Sequence, residues 1–420
     1  MIKQITQTYR EFPPKFWIVI AISFIDLIGA TLLFPFFSLY ATQKFGIGMA
    51  QAGVMLGLSS FFGLLGVVIG GALTDKFGRK KIIIIGLIFS AISSITIGLV
   101  DNLIALFPLI IFTGLLSQIA GPAQRAMIAD LLPKDKRQEG FSILRVTGNI
   151  SWLIGPTIAG FVASKSFLAL FITDAVISIL VALMFFWLIP ETKPDTIIEI
   201  EKHGSSFWQT AAGYGKVLRD TAFMGLMLAS ILMMLVYVQL YNSLSVFLRD
   251  NHGVDAQGYG SLLSTSAVTV ILFQFWITRR IKNKPPFIMM AIGAFFYALG
   301  FFLFGIVDVF VLFALNVIII TIGEMIVAPS SEALATNFAP ADMRGRYMAI
   351  YGLTWSIPLT IGPGLAGILV DSPNPDLLWY IGGGLCLVSV FGYLVLHERL
   401  GQQARFMVAV QETLPSQIPE

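Results

Sequence analysis

Charged side chains are scarce in this chain of 420 residues. Asp, Glu, Lys and Arg together make up 12% of it, whereas hydrophobic residues make up 56%. Soluble domains carry about a quarter charged residues. The composition therefore excludes an ordinary soluble protein and predicts an integral membrane protein. The formal net charge is only +3, which is too small to predict a nucleic-acid partner.

The residues that most enzymes and metal sites use are also nearly missing. The chain has one cysteine, Cys386, and three histidines, which excludes an internal disulfide and a thiolate metal cluster. Neither a Gly-x-x-x-x-Gly-Lys phosphate loop nor a His-x-x-x-His metal pair is present. We therefore expect no enzymatic activity, no metal, no cofactor and no ATP-driven mechanism.

Long apolar runs dominate the sequence. A membrane-spanning helix needs roughly 20 such residues, and twelve runs reach that length, separated by short polar gaps. We therefore expect an all-α membrane protein with twelve transmembrane helices. The predicted spans cover residues 16–40, 48–73, 82–100, 103–128, 141–164, 167–189, 221–248, 257–278, 286–306, 309–333, 346–370 and 377–397.

Lysine and arginine are concentrated in every second segment between the predicted spans, and these segments lie on one side of the membrane. With both termini placed inside, 22 of the 27 basic residues fall in inner segments, and only Lys44, Lys165 and Arg249 fall in outer loops. Basic residues gather on the cytoplasmic side of membrane proteins. The pattern predicts a multi-pass protein of the cell (inner, cytoplasmic) membrane with both termini in the cytoplasm.

The two halves of the chain repeat each other. The segment that starts at Pro122 matches the one that starts at Pro329 at a constant offset of 207 residues, which also aligns Gly155-Pro156 with Gly362-Pro363. Parallel repeats of this kind are typical of transporters whose site lies between the halves near mid-membrane. We expect two pseudo-symmetric six-helix bundles at 1–190 and 221–400, a cytoplasmic linker at 191–220 and a cytoplasmic tail at 401–420.

Three motifs resemble those of the major facilitator superfamily. "GGALTDKFGRKK" (Gly70–Lys81) is similar to the family signature between helices two and three, and "IAD" (Ile128–Asp130) is similar to the end of its helix four. "NISWLIGPTIAG" in span five resembles the helix-five motif of the family's drug/proton antiporters. The matching residues of that motif are Gly155, Pro156 and Gly160, preceded by Arg145 and Asn149.

The resemblance implies a conformational latch at the inner face. Its members would be Gly71, Asp75, Gly78, Arg79 and Asp130, with Asp75 capping the positive N-terminus of helix eleven and Arg79 pairing with Asp130. The alternative is that the basic residues of this loop have no latch function and only reflect the general excess of Lys and Arg in cytoplasmic loops. "IIFTGLLSQIAGP" in span four lacks the arginine that the antiporter branch usually has there.

Two carboxylates lie deep within predicted spans. Asp26 is in span one and Glu324 in span ten, where a charged group costs roughly 2.5–3.5 kcal/mol and usually has a function. The resemblance favours Asp26 as the proton carrier; Glu324 would carry the proton or contact a cationic substrate. Either acid could instead be structural. We expect Asp174 to reach the surface at the outer end of span six, and Arg145 to pair with an acid, gate the path or lie at the helix end.

The remaining polar and aromatic span residues suggest a binding wall. Its candidates are Tyr237, Gln239, Tyr241, Asn242, Gln274 and Trp355. An apolar, aromatic site with one or two acids suits cationic or hydrophobic drugs, although these aromatic residues could also serve packing alone. We expect a monomeric transporter in the lipid bilayer that exports such small molecules in exchange for protons. The alternatives are transport of a metabolite (a sugar, an organic anion or a lysolipid) and a receptor that transports nothing.

Overall fold

The computed structural model describes residues 11–193, 214–340, 343–401 and 403. Within them, twelve helices are long and apolar enough to cross a membrane, which confirms the predicted number and the all-α class. The tail at 401–420 and the linker at 191–220 lie mostly outside the described residues. The spans are α1 (Pro14–Phe45), α2 (Met49–Phe77), α3 (Arg79–Leu99), α4 (Leu103–Leu131), α5 (Glu139–Ala163), α6 (Phe167–Leu188), α7 (Thr221–Asn242), α8 (Ala256–Ile281), α9 (Pro286–Phe304), α10 (Phe310–Phe338), α11 (Arg344–Val370) and α12 (Leu377–Leu400).

The helices pack in two sets with matching neighbours. In the first set α1 packs on α5 and α6, α2 on α4, and α3 on α6; in the second, α7 packs on α11 and α12, α8 on α10, and α9 on α12. Each pairing in one set recurs six helices later in the other. This agrees with the internal sequence repeat, while the residue limits proposed for the domains stay a prediction.

Several spans are interrupted where the sequence led us to expect continuous helices. In α1 a 3-10 turn at Phe34–Phe36 contains Pro35, whose nitrogen cannot donate to the preceding turn. In α4 the helix breaks between Ser117 and Ala120, because Pro122 provides no N–H group for the Gln118 carbonyl. The interruptions divide each of these spans into two α-helical segments.

Glycines allow the closest approaches between helices. A Cβ added at Gly66 or Gly70 of α2 would collide with the α4 backbone, whereas one added at Gly71 would meet nothing within 4 Å. Small residues in this role are typical of membrane bundles. Gly71 is one of the residues expected in the latch, and its surface is open in this structure.

The two bundles meet through α2 with α11 and through α5 with α8. We call the end of the molecule that bears the α2–α3 loop the basic face, and the other end the opposite face. A Cβ at Gly53 would overlap the Pro363 carbonyl, and one at Gly160 would lie 2.7 Å from the Gly260 Cα. These contacts lie in the halves of the helices nearer the opposite face. The bundles are therefore closed against each other on that side.

Candidate transport site

A cavity of about 980 Å³ lies within the first bundle. Apolar side chains from α1 to α6 form much of its wall, and polar side chains interrupt them at a few points. A cavity of this volume is in the range that binds drug-sized ligands. The charged and amide residues that line it are Asp26, Gln118, Gln124, Arg125, Arg145 and Asp174.

Two carboxylates from neighbouring helices share this cavity. Asp26 on α1 is partly buried and faces the cavity. Asp174 on α6 is only 5% exposed and accepts a hydrogen bond from the Ser94 hydroxyl on α3. A Cβ at Gly29, one turn after Asp26, would lie 3.1 Å from an Asp174 carboxylate oxygen. The expectation that Asp174 reaches the surface is therefore wrong, because α6 turns this residue toward α1 and α3.

A salt bridge connects the two bundles on the basic-face side of the cavity. Arg145 Nη1 on α5 donates to the Glu332 carboxylate on α10, and both side chains are at least half exposed. Of the three roles considered for Arg145, the structure shows the pairing with an acid. Asn149 lies exposed one turn further along α5. The pair joins helices that must move relative to each other if the bundles separate.

Glu324 lies in the second bundle among aromatic rings. Its carboxylate lies close to the Tyr237 hydroxyl, which in turn lies 3.2 Å from the Tyr241 hydroxyl. The Tyr237 ring stacks on Tyr297 at 5.3 Å and meets Trp355 edge-on at 6.0 Å. The acid thus lies beside a pair of neighbouring tyrosine hydroxyls.

Two rings from the first bundle extend this group. Trp152 on α5 packs edge-on against Tyr241 at 5.1 Å, and Phe34 on α1 lies 5.8 Å from Trp152. Phe34 also lines the cavity of the first bundle. We call the six rings the aromatic cluster, which therefore lies beside the cavity and is built by both bundles. Its members are Phe34, Trp152, Tyr237, Tyr241, Tyr297 and Trp355.

The three amides predicted for the binding wall donate hydrogen bonds to other groups of the protein. Gln239 and Asn242 are 2% and 1% exposed and donate to the Leu235 and Val238 carbonyls of their own helix. Gln274 donates to Thr278 at 2.8 Å and toward the Met325 carbonyl at 3.4 Å. Pro329 leaves the Met325 carbonyl without its helical partner. Gln274 thus supplies a donor to a carbonyl that Pro329 leaves without one, while the role of the three amides in a binding wall stays a prediction.

The α2–α3 loop holds the charge pair expected from its motif. Arg79 Nε donates to Asp130 at 2.9 Å and is buried, while Asp75 lies 3.7 Å from Arg79 with its side chain 69% exposed. Gly78 between the helices has a φ of 98°, which favours glycine. The Asp75 carboxylate is thus directed to solvent and toward Arg79 at the start of α3 rather than buried against α11.

Glu191 also fixes this loop, and sequence reasoning missed it. Its carboxylate accepts backbone N–H groups of Arg79 at 2.9 Å and Lys80 at 3.2 Å, at the N-terminus of α3. Partial burial alone would raise the pKa of Glu191, but the backbone donors, which include those of Thr192 and Lys193, hold it below its ordinary value of 4.5. The chain after α6 is therefore attached to the start of α3.

Glu191→Ala is expected to lower the apparent melting temperature of the purified protein, because removing such a cap typically costs about 1 kcal/mol. Since the folded-state pKa is depressed, this stabilisation is present above pH 4.5 and is lost as the pH falls through the folded value. Melting curves of both proteins between pH 7 and pH 3.5 should converge at the acid end. Glu398→Ala, at an exposed carboxylate in the last turn of α12, is the control; a pH-independent difference would contradict the assignment.

The helix-five motif packs α5 on both of its neighbours. A Cβ at Gly155 would collide with Thr31 of α1, and Gly160 meets Gly260 of α8. Pro156 between them is buried within the helix. The motif therefore lies where the first bundle touches the second, close to the aromatic cluster.

Comparison with known proteins agrees with this architecture. The sequence profile of the Major Facilitator Superfamily matches residues 19–363 and again 309–409. The chain belongs to this family. It is therefore a multi-pass membrane transporter and not an enzyme.

Two curated relatives show the range of activities among similar chains. A "Na(+), Li(+), K(+)/H(+) antiporter" from Planococcus maritimus is 26% identical over 359 residues, covering 79% of this chain and 84% of the relative. The multidrug resistance protein MdtH of Escherichia coli (strain SMS-3-5 / SECEC) is 24% identical over 384 residues, covering 90% of this chain and 92% of the relative.

Solved structures share the fold. A POT family transporter in complex with 5-aminolevulinic acid superposes with a TM-score of 0.77 at 18% identity, covering 92% of this chain and 96% of that one. A single-residue mutant of the nucleoside transporter NupG gives 0.75 at 15% identity, covering 91% and 99%. At these identities the likeness shows the fold alone.

Proposed function

We propose that this protein exports hydrophobic or cationic compounds across the cell membrane in exchange for protons. The observation that supports this most is the position of Glu324 beside Tyr237, within the aromatic cluster that both bundles build. Aromatic faces attract cations, and a carboxylate strengthens that attraction. A flat, lipophilic cation is the ligand that suits such a site.

Asp26 is our proposed proton carrier. It lies at bilayer depth in α1 and faces the cavity, where burial disfavours the charged form of a carboxyl group. A group that ionises only when water or a cation reaches it can bind and release a proton during the cycle. Asp174 and Ser94, beside it, would provide a second acid and a hydroxyl for that transfer.

Transport would follow alternating access between the two bundles. In the topology predicted from the basic residues, the basic face is cytoplasmic. We propose that the closed opposite face marks an inward-facing conformation, in which the exposed Arg145–Glu332 pair joins the bundles on the basic-face side. We propose that Gly71, Asp75, Gly78, Arg79 and Asp130 form the latch that closes the basic face in the other state. The exposed Asp75 carboxylate supports this, because it is available for α11 when the bundles close there.

A second candidate function is exchange of monovalent cations for protons. The observation in its favour is the convergence of Asp26, Asp174 and the Ser94 hydroxyl in one cavity, since hard cations prefer oxygen ligands. A relative at 26% identity is named as an antiporter of this kind. In this alternative the aromatic cluster would serve packing alone.

Reconstituted proteoliposomes with an imposed pH gradient distinguish the two functions. Our proposal predicts that ethidium moves against its concentration gradient when the gradient is present and stops when a protonophore collapses it. Ethidium flux that is indifferent to the gradient would contradict proton exchange. Gradient-driven movement of Na⁺ without ethidium movement would favour the second function.

A further inference from the structure

The N-terminus of α2 is capped by a residue of the other bundle. Asp371, at the C-terminal end of α11, accepts the backbone N–H groups of Met49 at 2.7 Å and Ala50 at 2.8 Å, one with each carboxylate oxygen. The first N–H groups of a helix have no partner within the helix and favour negative charge. One carboxylate of the second bundle thus satisfies two donors of the first bundle at the opposite face.

Comparison of the two repeats shows that the cap from the other bundle occurs at α2 and not at the equivalent helix α8. At the offset of 207 residues, Gly48 before α2 corresponds to Asp255 before α8, and Asp371 corresponds to Ser164 at the end of α5. Asp255 caps its own helix by accepting the Gly258 N–H at 2.8 Å. Gly48 has no side chain to do so. The carboxylate therefore belongs to the helix itself in one repeat and comes from the partner bundle in the other.

Glycines bring α2 and α11 into close contact around the exposed Asp371. A Cβ at Gly48 would collide with the Asp371 carboxylate, and one at Gly367, a turn earlier in α11, would lie 2.5 Å from the backbone of Ala50. A Cβ at Gly53, further along α2, would overlap the Pro363 carbonyl. Separation of α2 from α11 at this face must therefore break both hydrogen bonds of Asp371 at once.

We propose that Asp371 is a clamp that holds the opposite face closed and is released when that face opens. The inference rests on the alternating access proposed above. Since α2 and α11 run antiparallel, the C-terminal end of each lies near the N-terminus of the other. Asp371 ends α11 and caps α2 in this conformation, while Asp75, near the end of α2, is exposed. The two carboxylates are thus reciprocal clamps for the two faces of one helix pair.

Distances between spin labels across the opposite face test the clamp. Lys165→Cys in the first bundle and Asn374→Cys in the second are both exposed positions, and the native Cys386 is fully buried. Pulsed electron paramagnetic resonance in nanodiscs, without substrate or gradient, would report the closed and open populations. Because replacing a cap residue by alanine costs about 0.5–2 kcal/mol, Asp371→Ala should raise the open-to-closed ratio by about two- to thirtyfold.

A double variant separates the clamp from ordinary helix capping. Gly48→Asp with Asp371→Ser gives α2 the arrangement that α8 has, so that the helix is capped within its own bundle. We expect its melting temperature to match the wild type while its distances stay shifted toward the open state. The clamp is rejected if Asp371→Ala leaves the distances unchanged, or if the double variant regains the wild-type distribution. Because no substrate or proton gradient is used, failure of the proposed drug/proton exchange would not affect the result.

Discussion

Asp26→Asn is expected to abolish proton-driven accumulation of a cationic dye in proteoliposomes while leaving downhill dye movement intact. The amide keeps the size of the side chain and still faces the cavity, but it cannot bind and release a proton. The bundles can still alternate, so the substrate can equilibrate across the membrane. The measurement is dye flux in both directions, with and without an imposed pH gradient.

Two further variants serve as controls for Asp26→Asn. Asp101→Asn removes an exposed carboxylate at the opposite face, 89% of whose side chain is accessible, and should transport like the wild type. Asp174→Asn removes the neighbouring buried acid. If Asp26→Asn transports normally against the gradient while Asp174→Asn does not, the proton carrier is on α6 and the assignment to Asp26 is wrong.

Glu324→Gln is expected to weaken the binding of cationic compounds by about ten- to hundredfold, the equivalent of losing one charge-assisted contact. Uncharged compounds of similar shape should lose little, because the rings of the aromatic cluster remain in place. Binding isotherms from the fluorescence of the protein's tryptophans, one of which is Trp152 in the cluster, would measure both classes of ligand.

Tyr241→Phe is the companion variant. It keeps the ring that packs on Trp152 but removes the hydroxyl beside Tyr237, so its effect should be much smaller than that of Glu324→Gln. Equal losses for charged and uncharged ligands in Glu324→Gln would mean that the acid supports the site structurally and does not contact the cation.

The sequence was sufficient for the architecture because the bilayer constrains it so strongly. Only continuous apolar segments can cross, so composition and run length predict twelve spans, and the cost of a buried charge singles out Asp26 and Glu324. The Arg79–Asp130 contact is one that the resemblance of the α2–α3 motif to the family signature implied. These features depend on local sequence or on a repeated pattern.

The remaining features depend on which helices become neighbours. The face of α6 on which Asp174 lies is decided by its packing against α1 and α3, so a position near the helix end was misleading. The interruptions of α1 and α4 follow from Pro35 and Pro122, yet Pro329 leaves α10 continuous. Proline alone therefore did not predict where the spans break.

Glu332 and its equivalent in the first half of the chain carry opposite charges. At the offset of 207 residues Glu332 corresponds to Arg125, so the two halves place opposite charges at equivalent positions of α4 and α10. Its partner is Arg145 rather than Arg125. The pairing across the bundles could be read only from the structure, although the charge reversal was visible in the sequence.

The most direct test of proton exchange measures the proton itself. Proteoliposomes containing a pH-sensitive dye and no initial pH gradient would receive a cationic drug on one side. Our proposal predicts that drug entry makes the lumen more alkaline in the wild type, because protons leave as the drug enters, and that Asp26→Asn shows drug entry without the pH change. Drug entry with no pH change in the wild type would contradict the account.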